Sequence, residues 1–232
     1  MTKAYQPLSH AQMAARVAAD IPDGACVNLG IGLPTKVADF IAPDREVMVH
    51  SENGVLGIGG TPAPGEEDGD LINAGKQPVT LREGGCFFHS ADSFAMMRGG
   101  HIDIAVLGAF QVSLRGDLAN WHLGDPGAIP AVGGAMDLAV GAKRTFVIMD
   151  LLTKSGASKL VERCSYPVTA VGCVSRVYTD VAVFDLTAHR VKVVETVKGV
   201  SLDTLRALTG VYIEPDPDSP ALPWMFDRHL SD

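Results

Sequence analysis

No part of this 232-residue sequence is both long and apolar enough to read as a membrane span. The longest stretch without Asp, Glu, Lys or Arg, residues 53–65, is 13 residues long and rich in glycine and proline; a membrane helix needs about 20 mostly apolar residues. Positive charge is also short. There are 19 Lys+Arg against 27 Asp+Glu, a formal net charge of −8, which argues against a broad electrostatic footprint for nucleic acid or an anionic membrane. The four cysteines (Cys26, Cys86, Cys164, Cys173) form no C-x-x-C pair, and Met1–His10 has no apolar leader core. The cysteines are therefore expected to be buried, reduced thiols of a cytoplasmic protein. The seven histidines are scattered without metal-ligand spacing, so no metal site is expected. No G-x-S-x-G occurs, which removes the commonest hydrolase elbow.

Apolar residues and glycine are abundant. Hydrophobic residues make up 47% of the chain, enough for a sizeable core and too many for a disordered or fibrous class. The 25 glycines are clustered, marking tight turns and close backbone approaches instead of a linker.

Ser9 with Gln12 reads as a capping box, and Met13, Val17 and Ile21 share one face, predicting a helix from Ser9 to about Asp20. Ala25–Leu29 and Val47–Ser51 read as apolar strands, separated by Gly30-Ile31-Gly32-Leu33-Pro34 and a short helix ending near Ile41. A strand is expected around Val79–Leu81, a helix over Ser90–Arg98 ended by Gly99-Gly100, a strand over Ile102–Leu107, a turn into a helix over Gly133–Val140 and a strand over Thr145–Met149. Strands that are apolar throughout and fed by helices predict an α/β fold with a parallel sheet covered on both faces. Val181–Asp185 and Val191–Thr196, joined through Thr187-Ala188-His189, read as an antiparallel hairpin. Ser201–Leu208 reads as a helix closed by Gly210. Residues 1–213 are accordingly one domain, and the acidic, proline-rich residues 214–232 an extended tail.

Ligands of open α/β sheets bind outside the carboxyl ends of the strands, and two such ends stand out. Gly30-x-Gly32, with Thr35 in place of the third glycine and Glu52 twenty residues beyond Gly32, has the outline of a dinucleotide fingerprint. Pro34 opposes that reading by removing an N–H where a pyrophosphate would want one. Glu52 itself lies at the second strand end, in Ser51-Glu52-Asn53-Gly54, with Gly57, Gly59 and Gly60 following. Backbone with little side-chain bulk would let a large ligand reach a nucleophilic carboxylate; an exposed loop acid among turn glycines explains the same residues. His50 shares the strand face of Glu52 and is a candidate modulator, or simply a strand residue. Lys76 follows the acidic loop Glu66–Asp70 and reads as a phosphate contact or as a solvated lysine. The segment Gly69–Lys76 has the wrong glycine spacing for a nucleotide phosphate loop, and Gln77 replaces its Ser or Thr.

Longer patterns go further. Ser51-Glu52-Asn53-Gly54-x-x-Gly57, Asp70–Lys76, Ser93–Met96 with Arg98-Gly99-Gly100, Gly108–Ser113, Gly116–Trp121 and Gly133-Gly134-Ala135-Met136-Asp137 occur in order through residues 9–213. In these the sequence resembles the glutamate-bearing B subunit of the class I, 3-oxoacid-type CoA-transferases. Pro62–Asp68 and Ile129–Gly134 are most similar to members acting on 3-oxoadipate, with acetoacetate-using members as the alternative. A non-catalytic ligand-binding domain on the related fold is a further alternative.

The resemblance implies a three-layer α/β/α sandwich with a mainly parallel central sheet and a C-terminal antiparallel hairpin. It implies ping-pong transfer of CoA from succinyl-CoA through a glutamyl-CoA thioester, with CoA and succinyl-CoA as substrates and no permanently bound cofactor. Glu52 matches the nucleophile, Gly134 the backbone N–H donor to the oxyanion, and Lys76 a lysine near CoA. Asn53, Gly54 and Gly57 match the CoA- and substrate-binding turn. An A subunit of related fold is implied as partner, in a hetero-oligomer expected to be A2B2, with the site between the subunits.

Overall fold

A computed structural model describes residues 5–124, 127, 129–130, 133–187 and 190–215. Helix α1 (His10–Asp20) begins where the capping box predicts. Ser9 N donates to Gln12 Oε1 at 2.9 Å, and Gln12 N donates to Ser9 Oγ at 3.2 Å. Met13, Val17 and Ile21 are buried. A cap contributes about 1 kcal/mol and each buried side chain of this size about 1.5–3 kcal/mol, so the cap sets the helix start and the stripe sets its face.

The described residues fall into two compact units. One, within Ala14–Gly108 and Val132–Phe146, contains β1 (Cys26–Leu29), β2 (Met48–Ser51), β3 (Val55–Ile58), β4 (Leu81–Phe87) and β5 (Ile104–Leu107). Their order is β4-β3-β2-β1-β5. The centre is parallel, as expected: Val27 of β1 pairs with Val49 of β2 and with Ile104 of β5. Val27, Val49 and all of Ile104–Leu107 are buried, the pattern of strands covered on both faces. After β1 the chain makes a 3-10 helix, Leu33–Phe40, with Pro34 in its first turn, where a missing N–H costs nothing. Helix α2 (Ser90–Arg98) starts on His89, whose Nδ1 accepts from Ala91 N at 3.1 Å. Helix α3 (Ala135–Gly141) packs so closely on α2 that a Cβ on Gly141 would overlap the carbonyl oxygen of Met97.

Two elements depart from the sequence expectation. Strand β3 lies inside the glycine cluster after Glu52, and β4 begins at Leu81, the last residue of the expected Val79–Leu81 strand, and runs on to Phe87. Both are antiparallel, with Ser51 paired to Val55 and Val55 to Phe87. Hairpin pairing overrides weak local propensity here. The cysteines also depart from expectation: all four are free, but Cys86 is exposed on β4, the strand at the end of the order, and the others are only partly buried.

The other unit, within Met1–Met13, Ala109–Ala131 and Val147–Asp232, contains the expected hairpin as Ala182–Thr187 against Arg190–Thr196. Its two connecting residues, Ala188 and His189, lie outside the described residues. Val174–Tyr178 adds antiparallel to Ala182–Thr187. The short strand Gln111–Ser113 pairs with Leu118–Ala119 and with Leu160–Val161 in a small three-stranded sheet. Helix Leu202–Thr209 is capped by Ser201, whose Oγ accepts from Thr204 N, and ends on Gly210 at φ 70°. Tail residues 216–232 lie outside the described residues. Among the described residues, no helix is long and apolar enough to cross a membrane.

Candidate active site

Glu52 sits in the turn joining β2 to β3. Gly54 N donates to Ser51 O at 3.0 Å, and Phe88 N donates to Gly54 O at 2.9 Å. Gly54 has φ 100°, and a Cβ there would overlap the carbonyl oxygen of Phe88. Gly54→Ala is therefore expected to cost about 3 kcal/mol or more, combining left-handed strain with a backbone clash. Gly65→Ala, also at positive φ (89°) but with nothing within 4 Å, should lose only the conformational part, about 1–2 kcal/mol. Denaturant unfolding of the two variants measures the difference.

The residues flanking Glu52 hold a second loop. Ser51 Oγ accepts from Ala74 N at 3.1 Å, and Asn53 Nδ2 donates to Ile72 O at 2.8 Å. Within that loop Asn73 Oδ1 accepts from Gly75 N at 2.8 Å and Gln77 N at 3.1 Å. The turn so made presents Lys76 to solvent at φ 60°, the one non-glycine residue with positive φ among the described residues. Left-handed backbone at a non-glycine residue costs free energy, and here it aims an exposed cation from a loop tied to the turn that carries Glu52.

The half-buried carboxylate of Glu52 meets residues distant in sequence. A Cβ on Gly134 would overlap Glu52 Oε2 and stand 3.1 Å from its Cδ and 3.4 Å from Phe94 Cζ. Gly134 caps α3, so the main chain at the start of that helix lies directly against the carboxylate. Asp137, one turn further on, forms an ion pair with Arg98 of α2 at 2.6 Å. Burial, and then the negative charge of Asp137, push the Glu52 pKa up from its ordinary value. A carboxylate so held is a stronger base and nucleophile once ionised, and it requires a higher pH to ionise.

The His50 side chain bonds to residues other than Glu52. Its ring is buried, with Nδ1 2.9 Å from Asn28 Nδ2 and Nε2 2.9 Å from Ser93 Oγ. Burial pushes its pKa down to about 4, so it joins β1, β2 and α2 as a neutral residue. The glycines after Gly54 allow close packing. A Cβ on Gly57 would stand 2.8 Å from Gly85 Cα, one on Gly59 would overlap Thr80 Oγ1, and one on Gly60 would stand 3.0 Å from Asp39 Oδ1. Gly30, part of the dinucleotide-like pattern, is pressed against the backbone of β5, with Val106 O 3.1 Å from its would-be Cβ. A cavity of about 470 Å³ opens at the carboxyl ends of β1 and β2, lined in part by Leu29, Gly32, Thr35, Ser51, Asn73 and Gln77. That is the crevice expected of an open α/β sheet. Phe94, Arg98 and Asp137 had no assigned role in the sequence. Their signal was opposite charge and an aromatic at matching turns of two helices, which becomes legible only once α2 and α3 are known to pack together.

Known proteins give these residues a context. The coenzyme A transferase family matches residues 10–207. The chain is 66% identical over 204 residues to the B subunit of 3-oxoadipate CoA-transferase from Pseudomonas putida, covering 88% of this chain and 95% of that protein. It is 49% identical over 199 residues to the B subunit of succinyl-CoA:3-ketoacid coenzyme A transferase from Helicobacter pylori, covering 86% and 95%. Among solved structures, an acyl-CoA transferase of Escherichia coli O157:H7 shares the fold at a TM-score of 0.70 and 18% identity, over 97% of this chain and 47% of that one. This chain thus spans about half the length of that solved protein. On the family match and the high-identity relatives, the chain belongs to the coenzyme A transferase family.

Proposed function

We propose that this chain is the glutamate-bearing B subunit of an enzyme that moves CoA from succinyl-CoA to 3-oxoadipate. The observation that carries the proposal is the packing of the Glu52 carboxylate against the main chain of Gly134. It joins a nucleophile to a backbone segment able to offer an N–H to the oxyanion. Glu52 attacks the thioester carbonyl of succinyl-CoA and expels CoA thiolate, leaving a mixed succinyl-glutamyl anhydride. The thiolate then attacks the glutamyl carbonyl, releasing succinate and leaving a thioester between Glu52 and CoA. The carboxylate of the acceptor attacks that thioester, again expelling thiolate, and the thiolate takes the acceptor's acyl group to restore Glu52. Each step splits one difficult exchange into easier additions and expulsions. Lys76 is exposed on a loop held by Ser51 and Asn53, a placement suited to a phosphate of CoA. The adjoining cavity offers room for part of the same ligand.

The relatives are named as B subunits, which supports an A subunit as partner, and we take the assembly to be A2B2. A cytoplasmic location accords with four free cysteines and a CoA substrate. The 66% identity to a 3-oxoadipate enzyme against 49% to a 3-ketoacid enzyme favours 3-oxoadipate over acetoacetate as acceptor. The test assays the chain alone and with the A subunit, using each acceptor in turn. Transfer that requires the partner and runs faster with 3-oxoadipate is expected. Full activity of the chain alone, or preference for acetoacetate, would contradict the respective part of the proposal.

A further inference from the structure

The two helices beside Glu52 are short, nine residues in α2 and seven in α3, so packing and not intrinsic propensity holds them. Phe94 and Arg98 lie four residues apart on one face of α2; Gly134 and Asp137 lie three apart at the start of α3. These two pairs meet. Gly134 stands against the Glu52 carboxylate with the Phe94 ring edge beside Gly134, while Arg98 Nε donates to Asp137 Oδ1 at 2.6 Å. The Arg98 guanidinium also lies 5.7 Å from the centre of the Phe94 ring, the aromatic next to Gly134.

The pair is too open to serve chiefly for stability. The Arg98 side chain is 68% exposed and that of Asp137 25%, and exposed ion pairs contribute little to folding. We propose that Arg98 and Asp137 form a positioning pair for Glu52, fastening α3 to α2 so that the main chain of Gly134 is held against the carboxylate and setting the charge around it.

The other titratable groups on the surrounding elements are otherwise engaged or turned to solvent. His50 on β2 is neutral and hydrogen-bonded to Asn28 and Ser93. His89 caps α2, and Asp92 on its first turn and Lys76 on its loop are exposed. Asp137 is the anion felt by Glu52, and Arg98 is its counter-charge. The same carboxylate that joins the helices thus makes Glu52 harder to ionise, and it is itself paired to the Arg98 guanidinium.

The inference rests on Glu52 being the nucleophile. Its test is the pH dependence of single-turnover formation of the glutamyl-CoA thioester from succinyl-CoA by the enzyme assembled with its A subunit. D137N, R98M and R98K are compared with wild type. In D137N the acid limb should move to lower pH, because an anion beside Glu52 is gone. In R98M it should move to higher pH, because Asp137 is no longer balanced. In R98K, which keeps the charge, the limb should stay in place. At the plateau pH, D137N and R98M should lose about tenfold in rate through looser placement, with the half-saturating succinyl-CoA concentration little changed. Near-wild-type melting temperatures identify folded variants, and R98M and R98K carry the test if D137N does not fold. Coincident acid limbs in all the folded variants would overturn the positioning role, whatever the rates. A wild-type enzyme that forms no thioester at any pH would instead overturn the assignment of Glu52 itself.

Discussion

Replacing Glu52 by alanine or glutamine should abolish CoA transfer by the assembled enzyme, a fall on the order of a million-fold, as when other enzymes lose a covalent nucleophile. Glu52→Asp should keep the charge yet lose about a hundredfold or more, because the carboxylate retreats by one methylene from its place against Gly134. Rates with succinyl-CoA and 3-oxoadipate check both. Loss of the carboxylate has an opposite effect on stability. The Glu52 pKa is raised by burial and by Asp137, so the folded protein binds this proton more tightly than the unfolded chain does. The associated stability is present below the ordinary carboxylate pKa and is lost as pH rises through the raised value. At neutral pH the ionised Glu52 is a cost that Glu52→Gln removes, so the inactive variant should unfold at a higher temperature than wild type. That gap should close as the pH is lowered below the carboxylate range. A nucleophile kept at the expense of stability is the expected mark of a working site.

Gly134→Ala should be the second most damaging single change. Gly134 has φ −68° and ψ 0°, which alanine adopts without strain, so the backbone gives no reason for loss. Its new Cβ would overlap Glu52 Oε2. Either the carboxylate swings away or α3 moves back, and in both cases the carboxylate proposed as nucleophile parts from the main chain proposed to receive the oxyanion. A misplacement of this kind costs about a hundredfold, and loss of an oxyanion donor up to about a thousandfold. Gly133→Ala is the control, since nothing lies within 4 Å of a Cβ there. It should stay within a few-fold of wild type, although it is the neighbouring residue in the same glycine pair. Equal losses in the two variants would show that the damage is to the loop and not to the contact with Glu52.

Much of the fold could be read from local pattern because local physics decides it. The Ser9–Gln12 box and the Met13-Val17-Ile21 stripe define α1, and short, largely apolar runs mark β1, β2 and β5 as buried strands. Where pairing decides, pattern fails. Val55–Ile58 is four residues long and interrupted by Gly57, and Leu81–Phe87 carries two charges and two glycines. They become strands because β2 turns back on itself at Glu52, and that turn depends on Gly54 fitting beneath Phe88 O. The two- and three-residue strands of the small sheet are likewise held by partners and carry no periodicity of their own.

The site divides in the same way. Glu52 stands out as a carboxylate at a strand end, but its contact with Gly134 joins residues far apart in sequence and is visible only in the structure. His50 lies on the expected strand, but its partners Asn28 and Ser93 are set by β1 and α2, so its neutral, structural role is a tertiary fact. Asn53, read as a ligand contact, uses its side chain to hold the loop before Lys76. The glycines after Gly54 illustrate the limit most plainly: their spacing alone does not reveal the close neighbours Gly85, Thr80 and Asp39.

The covalent state of Glu52 decides the mechanism most directly. The measurement is the mass of the assembled enzyme, and of its peptides, after incubation with succinyl-CoA alone and rapid quenching. A CoA adduct on the peptide containing Glu52, absent from Glu52→Gln and discharged by 3-oxoadipate, is the predicted result. Steady transfer of CoA by an enzyme that never carries the adduct, or an adduct that persists in Glu52→Gln, would contradict it.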